Sequence, residues 1–218
     1  MLPTPQRIVL VTGASRGIGA EVAQLSAGPD THVLVNYRGH AERAEAVAAA
    51  IRAAGGHAST LAADVHDEAD VTAMIDTVRA RFGRLDTLIL NASGGPELGA
   101  DPGYAMRLNG DAQRRLATLA LPLMPVGGHI VFVTSHQAHF YPHKAVPKGY
   151  AGVAASKRAG ETALYAMRPD FDRAGIHFTV VSAEMTDHVV VPAVVTAATT
   201  AHPSGMVYVG RAAYLMTA

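Results

Sequence analysis

Residues 7–19 read RIVLVTGASRGIG, and this stretch decides the fold. Arg7–Thr12 (RIVLVT) is an unbroken apolar, β-branched run, as in a strand buried on both faces. Glycines follow at 13, 17 and 19, and a helical pattern then continues through about Ala27. A strand that ends in a glycine turn and opens directly into a helix places each glycine for a reason. Gly13 allows the tight turn, Gly17 lets backbone amides approach a ligand, and Gly19 lets the helix pack close to the strand. The helix start supplies oriented N–H groups and partial positive charge, which suit the phosphates of a dinucleotide.

Outward from this turn the same alternation repeats. His32–Asn36 (HVLVN) reads as a second strand, and Ala41–Ala54 as a helix stopped by Gly55 and Gly56. Ala58–Ala63 is a third strand, Glu68–Phe82 a helix ended by Gly83, and Thr87–Leu90 a fourth strand. A helix from about Tyr104 to Met124 leads to a fifth strand, His129–Thr134. A long helix over about Val153–Ala174 is expected to kink or divide at Pro169. His177–Ser182 and Met206–Val209 complete seven strands. Apolar strands separated by helices predict an α/β doubly wound parallel sheet, Rossmann-like, with helices on both faces. No linker, repeat or low-complexity tract divides the 218 residues, so one dinucleotide-binding domain over 1–218 is expected, with a short substrate lid at about 184–204.

Composition removes several function classes. Lys plus Arg equals Asp plus Glu at 18 each, which gives no electrostatic case for nucleic acid or an anionic membrane. The absence of cysteine removes disulfides, thiolate catalysis and zinc–thiolate sites. The segment Met1–Gln6 lacks the basic start and apolar run of a signal peptide, no apolar stretch is long enough to span a bilayer, and a cytoplasmic protein is the default reading.

With TGASRGIG at 12–19, the DV pair Asp64–Val65 and the sequence NASG at 91–94, the chain resembles the short-chain dehydrogenase/reductase family, its ketoacyl-reductase-like branch in particular. The resemblance runs from about residue 7 to residue 210 and is densest in the first hundred residues. It implies a nicotinamide dinucleotide held by Gly13, Ser15, Arg16, Gly17, Ile18 and Gly19, with Asp64 and Val65 at the adenine and Asn91, Ala92 and Ser93 after the fourth strand. An NAD site would place a carboxylate at the end of strand two. Here Asn36, Tyr37 and Arg38 stand there, with Arg16 in the glycine turn, and two guanidiniums suit the 2′-phosphate of NADPH.

The family's reaction uses an asparagine, a serine, a tyrosine and a lysine four residues after the tyrosine. The resemblance assigns these to Asn109, Ser135 and Lys157, but Val153 stands at the tyrosine position. Tyr150 lies seven residues before Lys157, and offsets of four and seven fall within about 40° of one helical face. It lies one turn further back, at a rise of about 10 Å instead of about 6 Å. Gly149 and Gly152 flank it and let this segment fold back toward the site. Tyr150 is either a relocated acid or a packing side chain, and the expected proton donor is Tyr150, a residue of the long segment SHQAHFYPHKAVPKGYAG (His136, His139, His143 or Tyr141) or water. The histidine spacings form no firm metal-ligand set, so no metal is expected. Glu184 stands where the family usually has glycine, facing either the nicotinamide or solvent, and Val189–Ala198 forms a lid helix or a core-packing one.

Two functions follow. One is an NADPH-dependent reductase of a small-molecule ketone or aldehyde; the other is an NADP(H)-binding sensor or partner-binding protein whose catalysis has lapsed. An epimerase or dehydratase of the extended relatives is the less expected reading, since the resemblance implies a larger C-terminal substrate region for those. The resemblance further implies a homo-oligomer, a dimer or tetramer packed through the long helices.

Overall fold

The computed structural model describes residues 7–94, 106–184, 189–202 and 205–210. Seven strands, β1 (Arg7–Val11), β2 (Thr31–Tyr37), β3 (His57–Ala62), β4 (Thr87–Leu90), β5 (His129–Ser135), β6 (His177–Ala183) and β7 (Met206–Val209), form one sheet in the order β3-β2-β1-β4-β5-β6-β7. Every pair is parallel. The chain runs outward from β1 to β3, crosses back with α3 (Glu68–Phe82), and restarts at β4 beside β1. Diverging loops at such a reversal open a crevice at the carboxyl ends of the strands. The glycine turn leaves β1 at that point.

The period-two pleat explains the layering. Ile8 and Leu10 of β1 join a core with Val71, Ile75 and Val78 of α3, Leu116 of α4 (Ala112–Ala120) and Leu164 of α5 (Ala151–Ala166). Val9 and Val11 face the other way, into a core with Val22 of α1 (Gly17–Leu25), Val47 and Ile51 of α2 (Ala41–Ala53), and Val190 and Val194 of α7 (Val190–Ala197). The doubly wound sheet expected from the sequence is therefore the fold.

Two features differ from the sequence reading and two fall within it, each with a local cause. The stretch expected as one helix to Met124 is a π-helical turn (Arg107–Asp111), then α4, then a 3₁₀ turn (Leu121–Leu123), while Tyr104 lies outside the described residues. The long helix is two, α5 and α6 (Arg168–Ala174), because Pro169 falls in the first turn of the second, where its missing N–H costs nothing. His136–His139, expected as loop, forms one helical turn, which the Ser135 hydroxyl caps by accepting from Ala138 N at 3.3 Å. Helix α7 packs into the core through Val190, Val191, Val194 and Ala197. The rest of the proposed lid includes residues 185–188 and 203–204, outside the described residues.

Histidines pair at the amino ends of the strands, His32 with His57 and His129 with His177 in register, their ring centroids 6.5 and 5.0 Å apart. Burial, then the charges of Arg81 and His57, lower the His32 pKa to about 4, and burial chiefly lowers that of His129. Between pH 6.5 and 4 the unfolded chain therefore binds more protons than the folded one. The stabilisation from a neutral His32 is complete above about pH 6.5 and lost as pH falls toward its folded pKa. Urea midpoints are expected to drop between pH 7 and 4.5, and to drop less in His32→Gln; equal drops in both proteins would refute this origin.

Candidate functional site

The crevice is built around Thr12. Its hydroxyl oxygen accepts from the backbone N–H groups of Asn91 and Ala92, both at 2.9 Å, and its proton goes to the Ile89 carbonyl at 3.2 Å. The Asn91 amide donates back to the carbonyls of Thr12 (2.9 Å) and Gly13 (3.3 Å). From the other side, Asn36 accepts from Gly13 N at 3.2 Å and donates to the carbonyls of Leu61 and Ala63. The turn after β1 is thus tied to the ends of both neighbouring strands.

Gly13 has φ +63°, a left-handed conformation that favours glycine. At Gly19 a Cβ would collide with the Asn91 amide nitrogen and the Gly13 carbonyl, so only glycine brings α1 this close. No side chain caps the N-terminus of α1, and its first turn holds no acid. By contrast, Asp67 caps α3 by accepting from Asp70 N. The uncapped amides above a glycine-rich turn fit a dinucleotide's phosphates.

A cleft of about 540 Å³ runs from this turn in both directions. All the proposed cofactor residues border it: Gly13, Ser15, Arg16, Gly17, Ile18 and Gly19 in the turn, Asn36, Tyr37 and Arg38 with Asp64 and Val65 at one end, and Asn91, Ala92 and Ser93 between. Ser135 and Lys157 stand at the other end. Arg38 lies 3.9 Å from the Asp64 carboxylate with 53% of its side chain exposed, which leaves its guanidinium accessible to a ligand. Asn36 is 1% exposed, so it acts chiefly as a brace of the turn.

At the reactive end, Lys157 faces the cleft from α5, and the protein around it lowers its ammonium pKa to about 8. Tyr150 directly precedes α5, and its carbonyl accepts from Ala154 N at 2.9 Å, so 150–157 is one continuous helical run. Its hydroxyl is hydrogen-bonded to that of Ser135. Burial raises the Tyr150 pKa above its ordinary value, and this bond partly opposes the rise. Val153 packs with Tyr150, Ala138 and Ala154 in a small apolar cluster. Asn109 lies deeper, in the π-helical turn, donating to Ser156 Oγ at 3.0 Å. Neither Tyr150 nor Asn109 borders the cleft directly. Tyr150 reaches it through Ser135.

Two of the three loop histidines proposed as proton donors, His136 and His139, are engaged in other hydrogen bonds. A carbonyl only accepts, so His136 Nε2–H donates to Val209 O (2.9 Å) and its Nδ1 accepts from the Ser182 hydroxyl (2.9 Å). Burial foremost lowers its pKa. His139 bridges the fully buried Glu161 (2.7 Å) and the Tyr208 hydroxyl (3.0 Å), and Arg158 also binds Glu161 at 2.7 Å. His143 has no assigned role. The clamp of His139, Glu161, Arg158 and Tyr208, like the Thr12 pin, was missed in the sequence because its members lie up to 69 residues apart. Arg158 and Glu161, three apart on one helix, were its sole local hint. Among the described residues no group of three metal-ligating side chains converges, and no helix is long and apolar enough to cross a membrane.

Known proteins resemble this chain in sequence and in fold. The 1-cyclohexenylcarbonyl-CoA reductase of Streptomyces collinus is 34% identical over 191 residues, 84% of this chain and 65% of that protein. A probable tetrahydroxynaphthalene reductase of Zymoseptoria tritici is 36% identical over 171 residues, 75% of this chain and 62% of its own. The chain thus spans just under two thirds of the length of these relatives. A metagenomic short-chain oxidoreductase solved in complex with NADP superposes with a TM-score of 0.81 at 26% identity, covering 94% of this chain and 97% of that one. The family described as short chain dehydrogenase matches residues 7–198, and the protein belongs to it.

Proposed function

We propose that the protein is an NADPH-dependent reductase of a ketone or aldehyde in which Tyr150, acting through Ser135, delivers the proton. The observation that carries this reading is the hydrogen bond between the Tyr150 and Ser135 hydroxyls, with Ser135 and Lys157 bordering the same cleft. The relatives named as reductases and the neighbour solved with NADP support the reaction class and the cofactor.

When bound, the cofactor supplies a hydride to the carbonyl carbon. Lys157 would hold the nicotinamide ribose, and Ser135 the carbonyl oxygen. As negative charge grows on that oxygen, Ser135 gives it a proton and takes one from Tyr150. The new O–H bond completes the alcohol and leaves a phenolate at Tyr150, to be reprotonated from water. Burial makes Tyr150 a weaker acid than free tyrosine. An alkoxide is nevertheless far more basic, its conjugate acid lying near water's value of about 15.7. Transfer therefore remains downhill. Positioning supplies the rest of the rate.

Arg16 and Arg38 border the adenosine half of the cleft with no carboxylate at the end of β2, which supports NADPH over NADH. Fluorescence titration is expected to show NADPH binding at least tenfold tighter than NADH, and Arg38→Ala is expected to erase most of that preference while leaving NADH affinity near its starting value. Equal affinities in the unaltered protein would remove the NADPH assignment. NADPH oxidation should follow on a panel of ketones, aldehydes and quinones. Tight NADPH binding with no turnover on any of them would establish the sensor, which the burial of Tyr150 and Val153 favours.

A further inference from the structure

Hydride loss puts a positive charge on a nicotinamide ring that was neutral before, so any fixed charge beside the ring discriminates between the two redox forms. Among the described residues the cleft holds two carboxylates, at opposite ends. Asp64 belongs to the adenine end, where His66 N (3.0 Å) and Arg38 engage it. Glu184 belongs to the reactive end: it follows β6 directly, Ala183 being paired with Ser135 in register, and it borders the cleft with Ser135, Lys157 and Val190.

We propose that Glu184 sets the redox preference of the site, its carboxylate binding the oxidised cofactor more tightly than the reduced one. This rests on the dinucleotide reading above. Among the described residues that border this end, Glu184 is the sole carboxylate. His136 lies close enough to feel it, but both imidazole nitrogens are hydrogen-bonded and burial keeps that ring neutral near pH 7. Lys157 is the one cation among the described residues that border this end. Glu184 balances it; without Glu184 the reactive end would carry a net positive charge and repel the oxidised ring. The side chain is exposed, so water screens the effect to a moderate size.

Two consequences follow for the reaction. A site that favours the oxidised ring makes the bound reduced cofactor a stronger hydride donor, because the positive charge formed on the ring is attracted to the carboxylate. It also slows release of the oxidised product. Glycine, which the family resemblance leads one to expect at this position, would do neither.

The test compares dissociation constants for NADP⁺ and NADPH, by calorimetric titration at low salt, in the unaltered protein, Glu184→Gln and Glu184→Asp. Glu184→Gln should weaken NADP⁺ relative to NADPH by about threefold to tenfold, and 0.5 M salt should shrink the difference. Glu184→Asp, which keeps the charge, should retain most of the original ratio. An unchanged ratio in Glu184→Gln, or an equal loss of both affinities, would overturn the assignment. Failure of the unaltered protein to bind either nucleotide would instead overturn the dinucleotide reading on which it stands.

Discussion

Tyr150→Phe is expected to lower kcat for ketone reduction by 10²-fold or more while leaving the NADPH dissociation constant within about twofold. The size is that of a lost general acid. The selectivity follows from position: the phenol hydroxyl touches Ser135 behind the cleft wall, and Tyr150 itself does not border the cofactor cleft. The phenylalanine ring fills the same space among Ala138, Val153 and Ala154, so the fold should be unaffected. Ser135→Ala should cost at least as much, since it removes both the carbonyl contact and the relay. The double variant should be no slower than the worse single one, because two members of one relay are not additive. Turnover unchanged in Tyr150→Phe would remove this residue as the acid and leave water at Ser135 as the donor.

Gly160→Ala should cause the largest loss of stability, about 3 kcal/mol, at the upper end of what overpacking costs. A Cβ at Gly160 would lie well inside contact distance of the Asn109 carbonyl oxygen, and a backbone atom has no rotamer in which to retreat. Either α5 must move outward or the π-helical turn must reform, and both break the bond from Asn109 to Ser156. For a chain of this size the melting temperature should fall by roughly 6–12 °C. Gly152→Ala on the same helix is the control. A Cβ there meets nothing within 4 Å, and the change should raise stability by several tenths of a kcal/mol. Equal melting temperatures for the two variants would show that the close approach at Gly160 is not maintained in solution.

Sequence alone revealed those parts whose causes are local. The run RIVLVT and the spacing of Gly13, Gly17 and Gly19 located β1, the turn and α1, because burial of a strand and the sterics of a turn each involve a few adjacent residues. The helix at Glu68–Phe82 was legible to the residue, since Gly83 ends it in a left-handed conformation at φ +69°. The π-helical turn at Arg107–Asp111 was not legible. Its carbonyl packs on Gly160, fifty residues away in sequence, and the local pattern reads as ordinary helix. The direction of Tyr150 followed from helical geometry, but its bond to Ser135 depends on how the intervening segment folds. The burial of His136 depends on Ser182 and Val209, which come from the last two strands. Residue type proposed a proton donor there, and tertiary contacts made it a strut.

The anchoring of His139 to Glu161 and Tyr208 bears on how the protein pays for its chemistry. This knot fastens the stretch that leads from Ser135 to the phenol onto α5 and β7, so the disorder of that stretch is surrendered once, as the chain folds. A visiting substrate then owes nothing for organising the proton path. Its affinity should report only its own fit, and truncated substrates should lose affinity without a matching collapse in the rate of the chemical step.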